Sequence, residues 1–365
     1  MKVVIIIIIV VVVLSAIETI IKKQKKPMNA EQMRSQGIDT SADSVFGNGS
    51  DRLLFPIYDR VSGKYGYIDQ TGRVVIKPQF DSAGRFSDGL AEVTKSMKSG
   101  YIDNTGQIVI PTTFSNSSSC DFHEGMALVE GGLIHKFKVG YIDKRGVFVV
   151  GYQFAKGGHF SEGLAAVKTA DEYDRDFKEW WGKYGYINKT GEMVIPPQFN
   201  DASGFSDGLA VVNKRSYIDK TGNIVLGPYE WATGFCEGVA AVETRDGYYG
   251  VIDKTGKMLT EMQCTEIKAF SEGMAVVRKD DKYGYIDNTG SLVIPCQYEM
   301  AESFSEGLAA VKKNGNYGYI NKSGIMVINP LFDEMASQFH NGLARVCGSG
   351  KDAYIDKSGN CVYLF

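Results

Sequence analysis

The sequence predicts an all-β tandem array of about nine three-stranded antiparallel units. A phrase of about 35 residues returns nine times, each copy reads as three short strands, and one kind of turn joins the last two. Tyr65-Gly66-Tyr67-Ile68-Asp69 with Thr71-Gly72 is one copy; Tyr283 to Asp287 with Gly290, and Tyr317 to Asn321 with Gly324, are variants of it. A repeat of this length marks units too small to bury their apolar faces alone, which must stack on their neighbours. Copying also supplies no unique constellation of groups, so an array points to binding before catalysis.

The first strand of each unit is brief and apolar, as in Leu308-Ala309-Ala310-Val311. The second is the Tyr-Gly-Tyr-Ile-Asp segment, whose tyrosines lie two apart and therefore share one face. The third is rich in Val and Ile, as in Leu292-Val293-Ile294, and β-branched and aromatic residues between Gly, Asp and Pro are strand signatures. Between strands two and three, Asp69-Gln70-Thr71-Gly72 places Asp first and Gly fourth. Asp accepts from the backbone two residues on, and Gly takes positive φ at little cost, so the segment closes a hairpin. Asn188 and Asn321 replace the Asp, which a turn permits. Each turn offers at most one carboxylate, too few oxygens for calcium.

Proline recurs at the end of strand three (Pro78, Pro196, Pro295, Pro330), where its missing N–H is expected to close the ladder or mark an edge. A loop follows with an aromatic and a glycine, such as Phe86 with Gly89 or Phe304 with Gly307. The Phe is expected to plug the gap between consecutive units.

Length varies at one place. The distance from Ile68 to Gly89, Ile142 to Gly163 and Ile286 to Gly307 is 21 residues each time. From the loop glycine to the next Ile it is 13 for Gly273 to Ile286 but 24 for Gly163 to Ile187. The variation therefore lies between strands one and two, and stacking puts all those turns on one edge, where insertions mark a binding surface. The longest insertion, Thr169 to Gly182, contains Tyr173, Phe177, Trp180 and Trp181 among acidic residues. These four form the candidate binding site, a partner contact or sugar-stacking platform. The bland alternative folds one Trp back over the neighbouring unit. A shorter insertion, Gly131 to Val139, carries Leu133, His135 and Phe137.

The net charge of −3 leaves no electrostatic footprint for nucleic acid. The six cysteines are far apart and form no CxxC pair, which argues against a disulfide framework, and the four histidines are too scattered for zinc. Cys264 stands in a slot held elsewhere by Phe80, Phe154, Phe199, Tyr229 or Tyr298 and reads as a small apolar filler of the core.

At the N-terminus an unbroken apolar run from Val3 to Leu14 follows Lys2. As a helix it would reach about 18 Å, short of the roughly 30 Å hydrocarbon core. It suits the apolar core of a signal peptide. The lysines at 22, 23, 25 and 26 instead favour an anchor with the rest of the chain facing the cytoplasm. Residues 1–21 are thus expected to be a signal peptide or membrane anchor, 22–50 a flexible tether and 51–365 the repeat domain. Export, released or anchored with the repeats extracytoplasmic, is preferred over a cytoplasmic orientation. Membrane contact is expected through this segment alone.

No HExxH, GxSxG, P-loop or GxGxxG motif stands in a suitable context. His123 and His340 replace the loop Ser seen at Ser161 and Ser305, and no histidine is tied to a nucleophile. No enzyme activity, metal or cofactor is expected.

The phrase Lys-Tyr-Gly-Tyr-Ile-Asp, Val-Ile-x-Pro, then Phe-Ser-Glu-Gly-Leu-Ala-x-Val resembles the WG repeat family of bacterial proteins, also called KWG repeats, over roughly residues 51–365. The family's Trp is Tyr here, at Tyr65, Tyr184, Tyr283 and Tyr317, and Ser99, Val139 and Arg215 lose the aromatic. The resemblance implies an all-β repeat body, often on exported or membrane-associated proteins, with an interaction role. Because nine units exceed the four to eight blades of most propellers, a curved or superhelical stack is expected ahead of a propeller-like ring, capped near Leu53 to Ile57 and Val362 to Phe365. The expected function is a non-enzymatic scaffold at the cell envelope that binds a protein or glycan. A spacer without ligand is the alternative, and a glycan-processing hydrolase with acids gathered from several units is a third reading.

Overall fold

The computed structural model describes residues 53–115, 121–133, 136–170, 172–174 and 179–365. The expectations for residues 1–21 and 22–50, and Phe177 and His135, fall outside these residues. The chain divides after Asp51, and the unit Arg52–Phe365 carries the repeats.

The described residues form nine small antiparallel sheets and one separate two-stranded hairpin. The eighth sheet shows the pattern. Its strands Leu308–Lys313, Asn316–Asn321 and Met326–Phe332 are the three expected ones, and a two-residue strand, Met300–Ala301, leads them. Six of the nine sheets have this fourth, leading strand, so the three-stranded expectation was one short. Residues as few as Met300 and Ala301 carry no periodicity, which is why sequence pattern misses them.

The apolar first strand is explained by burial on both faces. Side chains alternate along it: Ala309 and Val311 pack with Tyr285 and Ile294 of the seventh unit, whereas Leu308 and Ala310 pack with Phe339 and Ala344 of the ninth. Every hydrophobic cluster therefore lies between two units. Among the described residues there are nine such clusters, one at each junction of consecutive units and one joining the ninth to the first.

That ninth junction settles the architecture as a closed, propeller-like ring. Phe55, Ile57 and Ile68 of the first unit pack with Leu343 and Tyr354 of the last. Gln70 Nε2 donates to the Asn341 carbonyl at 2.8 Å. The two segments expected to cap an open stack are instead the two sides of this seam. An open stack would leave two apolar sheet faces in water, and closure removes both.

One contact recurs around the ring. The second tyrosine of the repeat donates its phenol to a backbone carbonyl of the next unit: Tyr186 to Ser203 at 2.8 Å, Tyr285 to Glu302 at 2.8 Å, Tyr319 to Ser337 at 2.7 Å. Its ring meets the loop Phe edge-on or tilted, with centroids 4.8 Å apart for Tyr285 and Phe304. Such pairs add about 0.5–1.5 kcal/mol beyond burial. The Phe is thus the expected plug between units. In the ninth unit the receiving carbonyl of Ser337 lies next to an N–H that donates to Arg345 O at 2.8 Å. The first unit has no leading strand among the described residues, and there Tyr354 donates directly to Pro56 O at 3.0 Å. Pro56 has no N–H to leave unpaired on that edge.

Of the two places expected for the proline, it takes the edge: it does not end the third strand but lies within it, on the outer strand of the sheet. Pro78 lies inside Val74–Phe80, at a bulge where Tyr67 pairs with Ile76 and Tyr65 with Phe80. The bulge explains the glycine between the tyrosines. A Cβ on Gly66 would meet the Pro78 nitrogen at 2.7 Å, and one on Gly284 the Cys296 nitrogen at 2.7 Å. The ninth unit lacks the bulge's proline and carries Ala353 at this position.

Gly284→Ala is therefore expected to destabilise the protein by at least about 2 kcal/mol, and Gly234→Ala, which opens onto free space, by less than about 0.5 kcal/mol, as read from urea unfolding midpoints. Deleting Val362–Phe365 breaks the seam. It should lower the melting temperature of the whole ring in one calorimetric transition, and separate melting of the last unit would contradict closure.

Candidate functional site

Antiparallel alternation sorts the connections onto two faces. The loop after the leading strand and the Asp-x-Thr-Gly turn lie at one end of each sheet. The turn between first and second strands, and the crossing to the next unit, lie at the other. The first face is regular and the second variable.

On the regular face the turns form as expected. Asp69 Oδ1 accepts from Thr71 N–H at 3.0 Å and from the Thr71 hydroxyl at 2.6 Å, and Gly72 has φ of +82°. Burial alone would raise the Asp69 carboxyl, but the Thr71 and Arg73 bonds hold it below its ordinary value. The loop Glu or Asp adopts positive φ just before its glycine, +53° at Glu272 and +55° at Glu306, which makes a two-residue hairpin. These acids carry a latch that sequence reasoning missed. Glu272 accepts from the Gly307 N–H at 3.0 Å and pairs with Lys322 at 3.3 Å. Glu306 does the same with Gly342 and Lys357, both at 2.9 Å. Glu124 and Glu162 repeat the arrangement with Lys189 and Lys220. The signal was present: Glu recurs in the loop phrase and Lys at the second turn position. Against the opposing effect of burial, Lys189 and the Gly163 N–H hold Glu124 below its ordinary value, as Lys357 and Gly342 do for Glu306. Serine hydroxyls join the same belt, with Ser271 donating to Phe304 O at 2.8 Å.

Where His123 replaces that serine, its ring lies 4.1 Å from that of His159. Burial, then His123, pushes His159 below its usual value, so this imidazole is neutral at pH 7. His340 is exposed. Among the described residues no group of three or more His, Cys, Asp or Glu is placed to hold a metal ion.

The variable face ranges from a two-residue turn at Asn314 and Gly315 to the insertion of the fourth unit. That insertion is a hairpin of its own. Glu172–Asp174 pairs with Glu179–Trp181 in the register Glu172 to Trp181, Tyr173 to Trp180 and Asp174 to Glu179. Its base is closed by Thr169 N–H donating to Lys183 O at 2.9 Å. Of the four candidate residues, the pairing thus sets Tyr173 directly opposite Trp180, and Trp181 is 61% exposed. The Trp181 Nε1–H donates to Asp174 Oδ2 at 3.1 Å, which fixes the indole at the surface. Trp181 therefore does not fold back over a neighbouring unit. The shorter insertion extends regular pairing, from Met126–Leu133 to Lys136–Asp143.

The repeat described as "WG containing repeat" matches eight stretches, residues 65–96, 100–130, 140–173, 184–216, 216–248, 249–283, 283–317 and 317–351. Each runs from the second strand of one unit to the first strand of the next, so eight matches span nine sheets. No curated protein matches the chain. Among solved structures, BamB from Moraxella catarrhalis is similar at 13% identity and a TM-score of 0.39, over 86% of this chain and 94% of that one. A structure described as the eukaryotic initiation factor is similar at 12% identity and a TM-score of 0.44, over 85% and 83%. At these overlaps neither likeness carries an argument about function.

The latch carboxylates make stability depend on acid pH. A carboxyl depressed in the folded state contributes stability that is complete above its unfolded value of about 4 and is lost as pH falls through its folded value. The urea midpoint is expected to hold between about pH 7 and 5 and to drop below about pH 4. Glu306→Gln should flatten part of that drop, and an unchanged acid limb would show that the latch contributes nothing.

Proposed function

Because the chain belongs to the WG containing repeat family, we propose that it is a non-enzymatic scaffold at the cell envelope that holds a protein or glycan on its variable face. The observation carrying this reading is the contrast between the faces. On the regular face, carboxylates bind ammonium groups and backbone N–H groups, and hydroxyls bind backbone carbonyls, from unit to unit. The variable face carries the length differences and presents Trp181 on a structured hairpin, near its base. An exposed indole held by a hydrogen bond loses little conformational entropy on binding, a property of interface anchors. The apolar run Val3–Leu14 supports the placement at the envelope.

Deleting residues 171–181 is expected to cut a protein pull-down signal at least tenfold and to leave the melting temperature nearly unchanged, since the hairpin is a separate sheet. Trp181→Ala should reproduce much of the loss. An unchanged signal removes the hairpin from the site. Absence of any signal from the intact protein favours the spacer. Protease accessibility on intact cells tests the location, with a fully protected repeat domain counting against export.

A further inference from the structure

Between the sixth and seventh units the variable face is cut by a groove of about 430 Å³. Asp246, Gly247 and Tyr248 form one wall, Gln263, Cys264 and Thr265 the floor, and Lys279 and Asp280 the other wall. Three departures from the repeat make it. In chain order the place of Phe80, Phe199 or Tyr298 falls to Cys264, which is only half-buried. The proline and the bulge beside it are missing, so only the register shift between Val251 and Ile252 remains, and Tyr249 pairs with Met262 instead of an aromatic beyond a bulge. The turn between first and second strands is lengthened over Thr244 to Tyr248, where the eighth unit needs only Asn314 and Gly315. Met262 and Cys264 stand where other units have a ring, and a new aromatic has been set at the rim.

The lining is chemically mixed. Tyr248 is 37% exposed, and Gln263 Nε2 donates to its hydroxyl at 3.5 Å, steadying the ring. Two carboxylates, an amide, a hydroxyl and an ammonium surround it, offering both donors and acceptors. Carboxylates outnumber the ammonium, which disfavours an anion. Burial pushes the Cys264 thiol up to about 11, so the floor is neutral and unreactive at pH 7. The volume falls in the range of small-molecule sites, about 300–1,000 Å³. An aromatic wall with planar hydrogen-bonding side chains suits a ring that is apolar on its faces and hydroxylated at its edge.

We propose that this groove binds one pyranose ring of a neutral glycan, stacked on Tyr248 and hydrogen-bonded by Asp246, Gln263 and Asp280. The proposal rests on the glycan reading of the variable face and places that ligand away from the Trp181 hairpin. The test is an array of neutral oligosaccharides, followed by calorimetric titration of the strongest ligand into three variants. Cys264→Phe adds a ring to the groove lining, Tyr248→Ala removes the exposed platform, and deletion of 171–181 removes the hairpin. Each point variant is expected to weaken binding at least tenfold and the deletion less than twofold. If Cys264→Phe does not fold, the surface variant Tyr248→Ala decides. Binding unaffected by Tyr248→Ala overturns the groove, and so does a blank array. Binding lost only with the hairpin overturns the groove and leaves the variable face as the site. A blank array with hairpin-dependent capture of a protein overturns the glycan and keeps the scaffold.

Discussion

Each sheet in this protein is buried on both faces, and the rest of the structure depends on that. A unit such as Leu308–Phe332 has no interior of its own, because Ala309 and Val311 look toward one neighbour and Leu308 and Ala310 toward the other. Stability is therefore a property of junctions, and a junction missing anywhere exposes two apolar surfaces. Closure follows from this. The seam repeats the interior contacts with different residues, Phe55 meeting Tyr354 at 5.6 Å where the loop Phe stands elsewhere.

The same constraint sets the composition of the repeat. Two-sided burial demands a thin second strand where the bulged third strand crosses it, hence Gly66 and Gly284. It demands a donor that crosses the junction, hence the buried tyrosine whose phenol reaches the next backbone carbonyl, an acceptor costly to leave unpaired. In the sixth unit Val251 takes that place, and the neighbouring strand also departs from the pattern. Departures cluster there, on the junction that carries the groove.

The two faces answer to different demands. Glu272, Lys322, Ser271 and Asp69 engage each other or the adjoining backbone, and a substitution there is felt at a junction. Turns opposite are held within their own unit, as Gly315 N–H is by Glu299 and Ser349 N–H by Asp333, so they can lengthen without cost to closure. Trp181 and Tyr248 stand on such turns.

The sequence alone determined the features that are local or periodic. The Asp69-to-Gly72 turn is readable because its hydrogen bonds span at most four residues, and the Phe86 plug because it recurs in step with the strands. Four of the site residues were chosen by composition, and only pairing showed Tyr173 opposite Trp180 and Trp181 held outward by Asp174. Ring closure could not be read, since it is made by partners 298 residues apart in sequence, such as Tyr354 and Pro56, whose meeting depends on the small rotation accumulated over nine junctions. The bulge at Pro78 and the groove at Cys264 were likewise decided in three dimensions. In both, the outcome turns on whether one backbone passes over another, and no single segment encodes that.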